Sequence, residues 1–266
     1  MASCNTRYES SHSLVAAACR FKPRGGLVNI REYGHGNVHD TFLVTLEGGE
    51  AEHFILQRVN TQVFRQPEQV MRNMRIVTDH VSGRLERDQP CRGRRWEVVR
   101  VLSDEAGLDY WIAPDGDFWR AISFIGGAES FDIIQNSEHA REVGFALGMF
   151  HSLVSDLPAG KLADTLEGFH ITPRYLRHYD RILEEKGAGR SPEEKYALRF
   201  VNEQRALADV LEEAKMQGRL CLRPIHGDPK VNNFMIDTTT GRAVSMIDLD
   251  TVKPGLVHYD IGDCLR

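Results

Sequence analysis

Two short stretches near the end of the chain decide the fold: HGDPKVNN at residues 226–233 and IDLD at residues 247–250. The first stretch follows a short apolar strand and predicts a loop. The residues between the two stretches predict a strand, a threonine-rich turn and a second strand. Because such a hairpin brings both strand ends to one edge, we expect Asp228, Asn233 and Asp248 to lie close together there.

These residue types are the ones that phosphoryl transfer requires. The reaction needs a divalent metal held against the phosphates, a carboxylate that orients or deprotonates the attacking hydroxyl, and positive charge. A carboxylate and an amide oxygen form a suitable hard ligand pair for Mg²⁺. Asn233 and Asp248 are therefore the predicted Mg²⁺ ligands, and Asp228 is left as the base. A plain surface turn explains the Gly-Asp pair alone, but it does not explain the whole set.

The spacing of His226, Asp228 and Asn233 resembles the protein-kinase catalytic loop H-R-D-x-x-x-x-N, and Lys230 stands where those kinases have a phosphate-contacting lysine. Gly227 in place of Arg, and Ile-Asp-Leu-Asp in place of Asp-Phe-Gly, resemble instead the aminoglycoside phosphotransferase and choline kinase branch. Within that branch, IDLDTVKPG followed by YDIGD is most similar to the N-acetylhexosamine 1-kinases. The segments GNVHDTFLV, FILQRVNTQVF, WRAISFI and FHITPRY agree with that subfamily, so the resemblance covers nearly the whole chain.

The resemblance implies a role for individual residues. Asp228 would be the base toward a sugar hydroxyl, and His226 would brace the loop. Asp250 has no fixed role in the wider superfamily and would bind the metal or support its ligands. The implied catalytic residues are Asp228, His226 and Lys230, and the implied metal ligands are Asn233, Asp248 and Asp250.

A further set of residues is implied for ATP. The glycine turn, residues 33–37, would cover the phosphates, and the backbone of residues 123–125 would meet the adenine. The implied nucleotide-binding residues are Gly34, Gly36, Asn37, Arg58, Glu68, Phe124 and Ile125. The strand lysine of kinases has no counterpart in FILQRV, where either Gln57 or Arg58 faces the cleft, depending on register. We choose Arg58 because it supplies charge to phosphates. Glu68 either favours the helix dipole or pairs with the strand cation, and the two roles are compatible.

The pattern of elements predicts a mainly β part with one helix before a mainly α part, and the resemblance implies an α+β, two-lobed, protein-kinase-like fold. Residues 1–125 would form a nucleotide-binding lobe with an antiparallel sheet and one helix, and residues 126–266 a mainly helical lobe with the catalytic and metal-binding loops. Predicted strands cover residues 41–46, 53–59, 96–102, 108–113, 118–125, 234–237 and 243–247, and predicted helices cover 67–81 and begin near Asn136, Pro173 and Pro192, the last running to about Gln217. In the families that the chain resembles, further helices follow and complete the acceptor pocket, so the lobe is expected to be truncated at its C-terminal end.

Composition narrows the class of protein. The chain has 266 residues and a formal net charge of −5, which argues against a general nucleic-acid binder. Its five cysteines include no CxxC pair, so neither a disulfide framework nor a zinc site is expected. No apolar run has the length of a membrane span and no signal peptide is visible. We therefore expect a cytoplasmic protein without a membrane or nucleic-acid partner.

The leading hypothesis is an ATP- and magnesium-dependent kinase that phosphorylates a small molecule, with the anomeric hydroxyl of an N-acetylhexosamine as acceptor. An aminoglycoside or choline-type acceptor is the alternative within the same chemistry. A truncated pseudokinase that binds nucleotide without turnover is the alternative outside it. His170 in FHITPRY either lines the acceptor site or only precedes a helix, and the second reading is favoured slightly.

Overall fold

The computed structural model describes residues 5–21, 26–34, 36, 38–47, 52–88, 93–187 and 191–266. The first part of the chain forms one antiparallel sheet with a helix on each face. Its elements are α1 (Asn5–Phe21), β1 (Leu27–Glu32), β2 (Asp40–Leu46), β3 (Glu52–Val59), α2 (Pro67–Asp88), β4 (Val101–Leu102), β5 (Trp111–Ile112) and β6 (Phe118–Ser123). The strand order is β1-β2-β3-β6-β4, and β5 also pairs with β6.

Alternation along the strands sends side chains to two different cores. Phe54 and Leu56 of β3 pack in the core on the α1 side. Val59 packs in the core on the α2 side, where α2 contributes residues at helical spacing, Val70 and Met74 among them. The predicted helix at 67–81 is thus confirmed, and it extends to Asp88.

The rest of the chain is mainly helical and carries a small hairpin. Its elements are β7 (Ala128–Glu129), α3 (Ser137–Leu153), α4 (Thr172–Lys186), α5 (Pro192–Gln204), α6 (Val210–Met216), β8 (Arg223–Ile225), β9 (Phe234–Asp237), β10 (Ala243–Met246), β11 (Lys253–Gly255) and α7 (Val257–Leu265). β9 pairs with β10 and β7, and β8 pairs with β11. The predicted cap of α3 is present, since the Asn136 side chain accepts a hydrogen bond from the His139 amide at 2.9 Å. The predicted α+β kinase-like class is confirmed.

Three predicted elements differ from the structure. Of residues 108–113, only Trp111 and Ile112 form a strand. Of residues 96–102, only Val101 and Leu102 join the sheet, because the Glu97 amide donates instead to the Val244 carbonyl of β10 at 2.8 Å. The long helix predicted from Pro192 ends at Gln204, and α6 begins only at Val210. The contact of Glu97 with β10 is tertiary, and local spacing does not reveal it. The predicted hairpin turn at 47–49 lies largely outside the described residues.

A single buried amide ties α2 to the segment that follows β10. Asn73 of α2 donates through Nδ2 to the carbonyls of Ala163, at 2.8 Å, and Val252, at 3.0 Å. Its Oδ1 accepts from the Ala163 amide at 2.9 Å. The large core on the α2 side also includes residues from α3, β9 and β10. α2 is therefore fixed both to the sheet and to the strands that lead to residues 226–250.

No helix in the described part of the chain combines the length and the apolar character that a membrane crossing requires.

We expect Asn73→Ala to destabilise the protein. The change leaves the buried groups of Ala163 and Val252 without their partner, which costs about 3 kcal/mol in total, equivalent to about 6 °C or more in Tm. Calorimetric melting measures this loss. Gln69→Ala, which removes an exposed amide from the same helix, is the control and is expected to change Tm by about 1 °C at most. Equal Tm values for the two variants would show that the Asn73 contacts contribute nothing.

Candidate functional site

The loop at residues 226–228, the HGD loop, is held in shape by a buried imidazole. His226 donates from Nε2 to the Ile247 carbonyl at 2.9 Å and accepts at Nδ1 from the Asp228 amide at 3.3 Å. Both contacts together require a neutral ring with its proton on Nε2. Burial lowers the pKa of His226 and so favours that neutral form, although the nearby Asp260 acts in the opposite direction. His226 therefore joins the HGD loop to the end of β10, just before Asp248.

A second buried group, the Asp260 carboxylate of α7, binds the backbone of the same loop. It accepts from the amides of His226, at 2.7 Å, and Gly227, at 2.8 Å. Burial would raise the pKa of Asp260, but His151, His226 and the two amides hold it below its usual range. Asp260 lies 34 residues from His226 in sequence, and only the fold reveals the contact. The sequence alone therefore does not identify Asp260 as a site residue.

Gly227 is required by the backbone of the HGD loop. Its φ is 87°, in the left-handed region that favours glycine. A Cβ at this position would lie 2.6 Å from the Thr251 carbonyl oxygen. The close approach lets the Thr251 hydroxyl donate to the His226 carbonyl at 2.7 Å. The glycine that replaces the arginine of protein kinases thus permits tight packing of the HGD loop against the IDLD segment, residues 247–250.

Four of the predicted residues meet where the two stretches converge. The Lys230 Nζ lies 2.6 Å from Asp228 Oδ2 and 3.8 Å from Asp248 Oδ2. Asn233 is buried, and its Nδ2 donates to the Asp228 carbonyl at 2.7 Å. Burial would lower the pKa of Lys230, but the two carboxylates outweigh it and raise that pKa. The lysine is therefore a cation held between two acids.

Asp248 is a carboxylate with too little positive charge around it. Its backbone is left-handed, with φ 64° and ψ 58°, a region that Asp and Asn enter more readily than most residues. Partial burial and the Asp250 carboxylate raise the pKa of Asp248 to about 6, against the opposing effect of Lys230. A hard divalent cation would supply the missing charge, so Asp248 and Asn233 fit Mg²⁺. No cluster of three or more His, Cys, Asp or Glu able to hold a metal occurs among the described residues, so water and phosphate would complete the coordination.

Asp250, also predicted among the metal ligands, has the opposite environment. Its side chain is 2% exposed, and both carboxylate oxygens are bound by Arg120 of β6, with Nη2 2.7 Å from Oδ2. His39 donates from Nε2 to the same Oδ2 at 3.0 Å. Burial would raise the pKa of Asp250, but Arg120 and His39 outweigh it and lower that pKa strongly. Asp250 is thus already neutralised by groups of the protein, which favours the supporting role over the metal-ligand role among its two predicted roles.

The structure also reverses the choice between Gln57 and Arg58. Arg58 lies opposite Trp119 on the α1 face of the sheet, and its guanidinium binds Asp40 and Asp117. Gln57 faces the other side, where its Oε1 accepts from Arg120 Nε at 2.9 Å. Because successive strand residues face opposite sides, the register places the amide and not the guanidinium on the face of the Arg120–Asp250 pair. Arg120 supplies the buried cation there.

The predicted glycine turn borders a cavity of about 460 Å³. Gly34, with φ 78°, and Gly36 line it together with Arg58. The cavity lies on the side of α1, whose Leu14 also lines it. Asn37, the remaining predicted residue of the turn, lies outside the described residues.

The other predicted nucleotide residues are Phe124, Ile125 and Glu68. Phe124 makes edge contacts with Tyr33, at 5.8 Å between ring centroids, and with His53, at 5.6 Å. Ile125 is buried in the core on the α2 side. Glu68 is exposed in the first turn of α2, and no described residue forms an ion pair with it. Of its two predicted roles, the structure is consistent with the interaction with the helix dipole, since Glu68 lies at the start of α2.

His170 lies closer to the HGD loop than its sequence context suggested. Its Nε2 is 2.5 Å from the Gly227 carbonyl oxygen, and its ring stacks on Tyr259 at 5.7 Å. Its backbone is left-handed, with φ 65°, and its amide donates to the Tyr175 hydroxyl at 2.9 Å. His170 is thus a neighbour of the loop that carries Asp228, not only the residue before α4.

Comparison with known proteins agrees with this fold and site. Amicoumacin kinase hAmiN in complex with AMP-PNP, Ca²⁺ and Ami shares the fold with a TM-score of 0.60 and 14% identity, and the match covers 98% of this chain and 69% of that one. Aminoglycoside phosphotransferase from Alicyclobacillus acidocaldarius subsp. acidocaldarius DSM 446 has a TM-score of 0.61 and 15% identity, with coverage of 95% of this chain and 70% of that one. A microcompartment-associated aminopropanol kinase has a TM-score of 0.55 and 17% identity, with coverage of 95% of this chain and 74% of that one. At such identities they show a kinase-like fold. Residues 29–266 match the phosphotransferase enzyme family, and the chain belongs to that family. The predicted enzyme class, a small-molecule kinase, is thereby confirmed.

We expect Gly227→Ala to destabilise the protein by about 3 kcal/mol, since the new methyl group meets the Thr251 carbonyl and the residue keeps an unfavourable φ. Gly241→Ala is the matched control: its φ is also positive, at 67°, but its Cβ would meet nothing within 4 Å. The control isolates the backbone strain, about 1 kcal/mol. Denaturant unfolding measures both variants. If they lose equal stability, the close approach to Thr251 is not a constraint.

We expect Asp248→Asn to stabilise the metal-free protein at neutral pH. A carboxylate whose folded pKa is raised to about 6 disfavours the folded state above that pH and costs nothing below its unfolded pKa near 4. The gain at pH 7.5 is about 1 kcal/mol after allowance for solvent screening, or about 2 °C in Tm, and it disappears as the pH falls toward 4. Melting curves in EDTA across this pH range measure the effect. Asp263→Asn, at another acidic position nearby, is the control; a Tm gain for Asp248→Asn that does not vary with pH would contradict the assignment.

Proposed function

We propose that this protein transfers the γ-phosphate of ATP to a hydroxyl group of a small molecule, with Mg²⁺ as cofactor. The observation that carries the proposal is the convergence of Asp228, Lys230, Asn233 and Asp248 in a member of the phosphotransferase enzyme family. Amicoumacin kinase, which shares the fold, was solved with AMP-PNP and Ca²⁺. Retention of all four residues in one cluster favours turnover over nucleotide binding alone.

Asp228 is the group proposed to act on the acceptor. Its carboxylate takes the proton of the acceptor hydroxyl while that oxygen bonds to the γ-phosphorus. The bond from the γ-phosphorus to the bridging oxygen breaks, and ADP leaves with that electron pair. The Asp228 side chain is 24% exposed, which leaves it accessible to an acceptor. The hydrogen bonds of its backbone amide to His226 and of its carbonyl to Asn233 fix its direction.

Lys230 and Asp248 are proposed to neutralise charge on the phosphates, Lys230 directly and Asp248 through Mg²⁺. Lys230 lies between the two acids and is 43% exposed, so its ammonium group can reach a phosphate oxygen while remaining near Asp228. Asp248 and Asn233 would hold Mg²⁺, which when bound neutralises phosphate oxygens and so favours the loss of ADP. The raised pKa of Asp248 supports this ligand role, because a cation would remove its electrostatic penalty.

The nucleotide is proposed to lie between two lobes, residues 1–125 and 126–266. The glycine turn would cover its phosphates, and the backbone near Phe124 and Ile125 would meet the adenine. The division follows the order of elements, since the large sheet precedes residue 125 and the helices α3–α7 follow it. Use of ATP and Mg²⁺ suits a cytoplasmic reaction.

The acceptor is proposed to be an N-acetylhexosamine, phosphorylated at its anomeric hydroxyl. The support for this choice is the similarity of IDLDTVKPG, YDIGD and FHITPRY to the N-acetylhexosamine 1-kinases. Two of these segments meet next to Asp228, because His170 and Tyr259 stack beside the Gly227 carbonyl. Aminoglycosides and amino alcohols are the alternative acceptors.

The test is a transfer assay with ATP, Mg²⁺ and a panel of acceptors: N-acetylglucosamine, N-acetylgalactosamine, kanamycin, aminopropanol and choline. We expect the N-acetylhexosamines to yield sugar 1-phosphates, detected by ³¹P NMR. Asp228→Asn is expected to lower kcat by about 100-fold or more, because the base is lost, while ATP binding measured by calorimetry changes little.

Asn232→Asp, a change of an amide to a carboxylate in the same loop, is the control for altered charge near the site. Transfer to kanamycin or choline alone would move the acceptor to the alternative class. Absence of transfer to every acceptor by a folded protein that still binds Mg-ATP would favour the nucleotide-binding reading without turnover. Near-normal turnover by Asp228→Asn would show that Asp228 is not the base.

A further inference from the structure

The buried ion pair of Arg120 and Asp250 is unusual in its completeness. Both side chains are 2% exposed, and every guanidinium nitrogen of Arg120 is bound: Nη1 and Nη2 by Asp250, and Nε by Gln57 at 2.9 Å. Removing two charges from water costs as much as their attraction returns, so a buried pair by itself is weak evidence of a stabilising role. The role of the pair is better inferred from the residues that it holds in place.

The pair connects the IDLD segment with the strand that leaves the glycine turn. His39, at the start of β2, donates from Nε2 to Asp250 and accepts at Nδ1 from the Asn60 amide at 3.0 Å. Gln57, which accepts from Arg120, also donates to Thr41 of β2 at 3.0 Å. Two separate routes thus run from Asp250 to the first residues of β2. The glycine turn ends at residue 37, and His39 lies two positions after it.

Protein kinases make a comparable connection with other residues: a strand lysine pairs with a glutamate of the helix that follows. In this protein the inner-facing residue of β3 is the uncharged Gln57, and Glu68 of α2 has no ion pair with any described residue. The buried cation is supplied by β6 instead, and its carboxylate partner belongs to the IDLD segment.

We propose that Arg120, through Asp250, positions the Asp248 carboxylate against the phosphates of a metal-bound nucleotide. This inference rests on the proposed function. Arg120 is a positioning residue, since its own nitrogens are fully engaged and buried. Asp250 fixes the segment in which Asp248 adopts its left-handed backbone, and His39 adds a second hydrogen bond to Asp250.

The inference predicts a selective loss of affinity. Arg120→Met and Asp250→Asn are expected to weaken Mg-ATP binding by about 10-fold or more, as is typical when a group that orients a metal ligand is removed. Binding of ATP in EDTA is expected to change by no more than about 2-fold, because it does not use Asp248 as a metal ligand. Isothermal titration calorimetry measures both affinities, and melting curves without ligand report the stability of each variant.

Arg75→Met is the matched control. Arg75 of α2 also binds an aspartate, Asp109, with two nitrogens, but that pair lies away from the IDLD segment and is partly exposed. The control is expected to lower Tm without changing the ratio of the two affinities. If Arg120→Met does not fold, Asp250→Asn and Arg120→Lys decide the matter, since the first is isosteric and the second keeps the charge.

The outcomes separate this inference from the proposed function. If the wild-type protein binds ATP equally with and without Mg²⁺, the proposed function fails and this inference fails with it. If the wild-type protein shows the magnesium dependence and Arg120→Met and Asp250→Asn lower Tm while keeping that dependence, the pair is only structural. The proposed function would then stand and the positioning role would be overturned.

Discussion

The site depends on the hydrogen bond that the buried His226 ring donates to the Ile247 carbonyl. That single contact joins the HGD loop to the end of β10, and so it sets Asp228 against Asp248 although the two are separated by a full hairpin. Asp260 secures the same loop from the other side by accepting from two of its amides. Because both groups are buried, neither contact competes with water, and the loop has few alternative conformations.

The two carboxylates of the IDLD segment illustrate how environment divides roles between identical side chains. Asp250 is fully buried but faces Arg120, which keeps it ionised. Asp248 is more exposed, yet burial and the Asp250 carboxylate raise its pKa, because Lys230 and Arg120 oppose them too weakly. The first is neutralised within the protein, and the second carries a charge that the proposed Mg²⁺ would neutralise. Only a single leucine separates the two residues in sequence, so the difference between them arises from their positions in the fold.

Residues outside the site connect the IDLD segment to the rest of the protein. Asn73 fixes α2 to the Val252 carbonyl, two residues after Asp250. Lys253, also buried, binds Asp164 and the Leu166 carbonyl and so holds the segment before α4. The IDLD segment is therefore bound to the sheet, to α2 and to the approach to α4. His170 extends from that approach to the Gly227 carbonyl.

Local patterns were sufficient for much of the fold. The apolar spacing in 67–81 predicted α2, the Asn136 cap predicted the start of α3, and the order of HGDPKVNN, hairpin and IDLD predicted which residues would meet. These features depend on neighbours within a few residues or one hairpin, where periodicity and turn chemistry are decisive. The helix predicted from Pro192 to about Gln217 was wrong in its length, since α5 ends at Gln204. The next residue, Arg205, binds Asp180, a contact that no local pattern contains.

The sequence by itself determined the chemical class of the site, because that class resides in residue types at fixed spacing: Asp228, Asn233 and Asp248. Only the tertiary structure decided which of Gln57 and Arg58 faces inward, since one residue of register exchanges the two faces of a strand. It alone also paired Arg120 with Asp250 across 130 residues of chain, and so separated the carboxylate suited to a metal from the one that supports it. Contacts of that range follow from how the sheet packs on the hairpin, and no local sequence pattern encodes them.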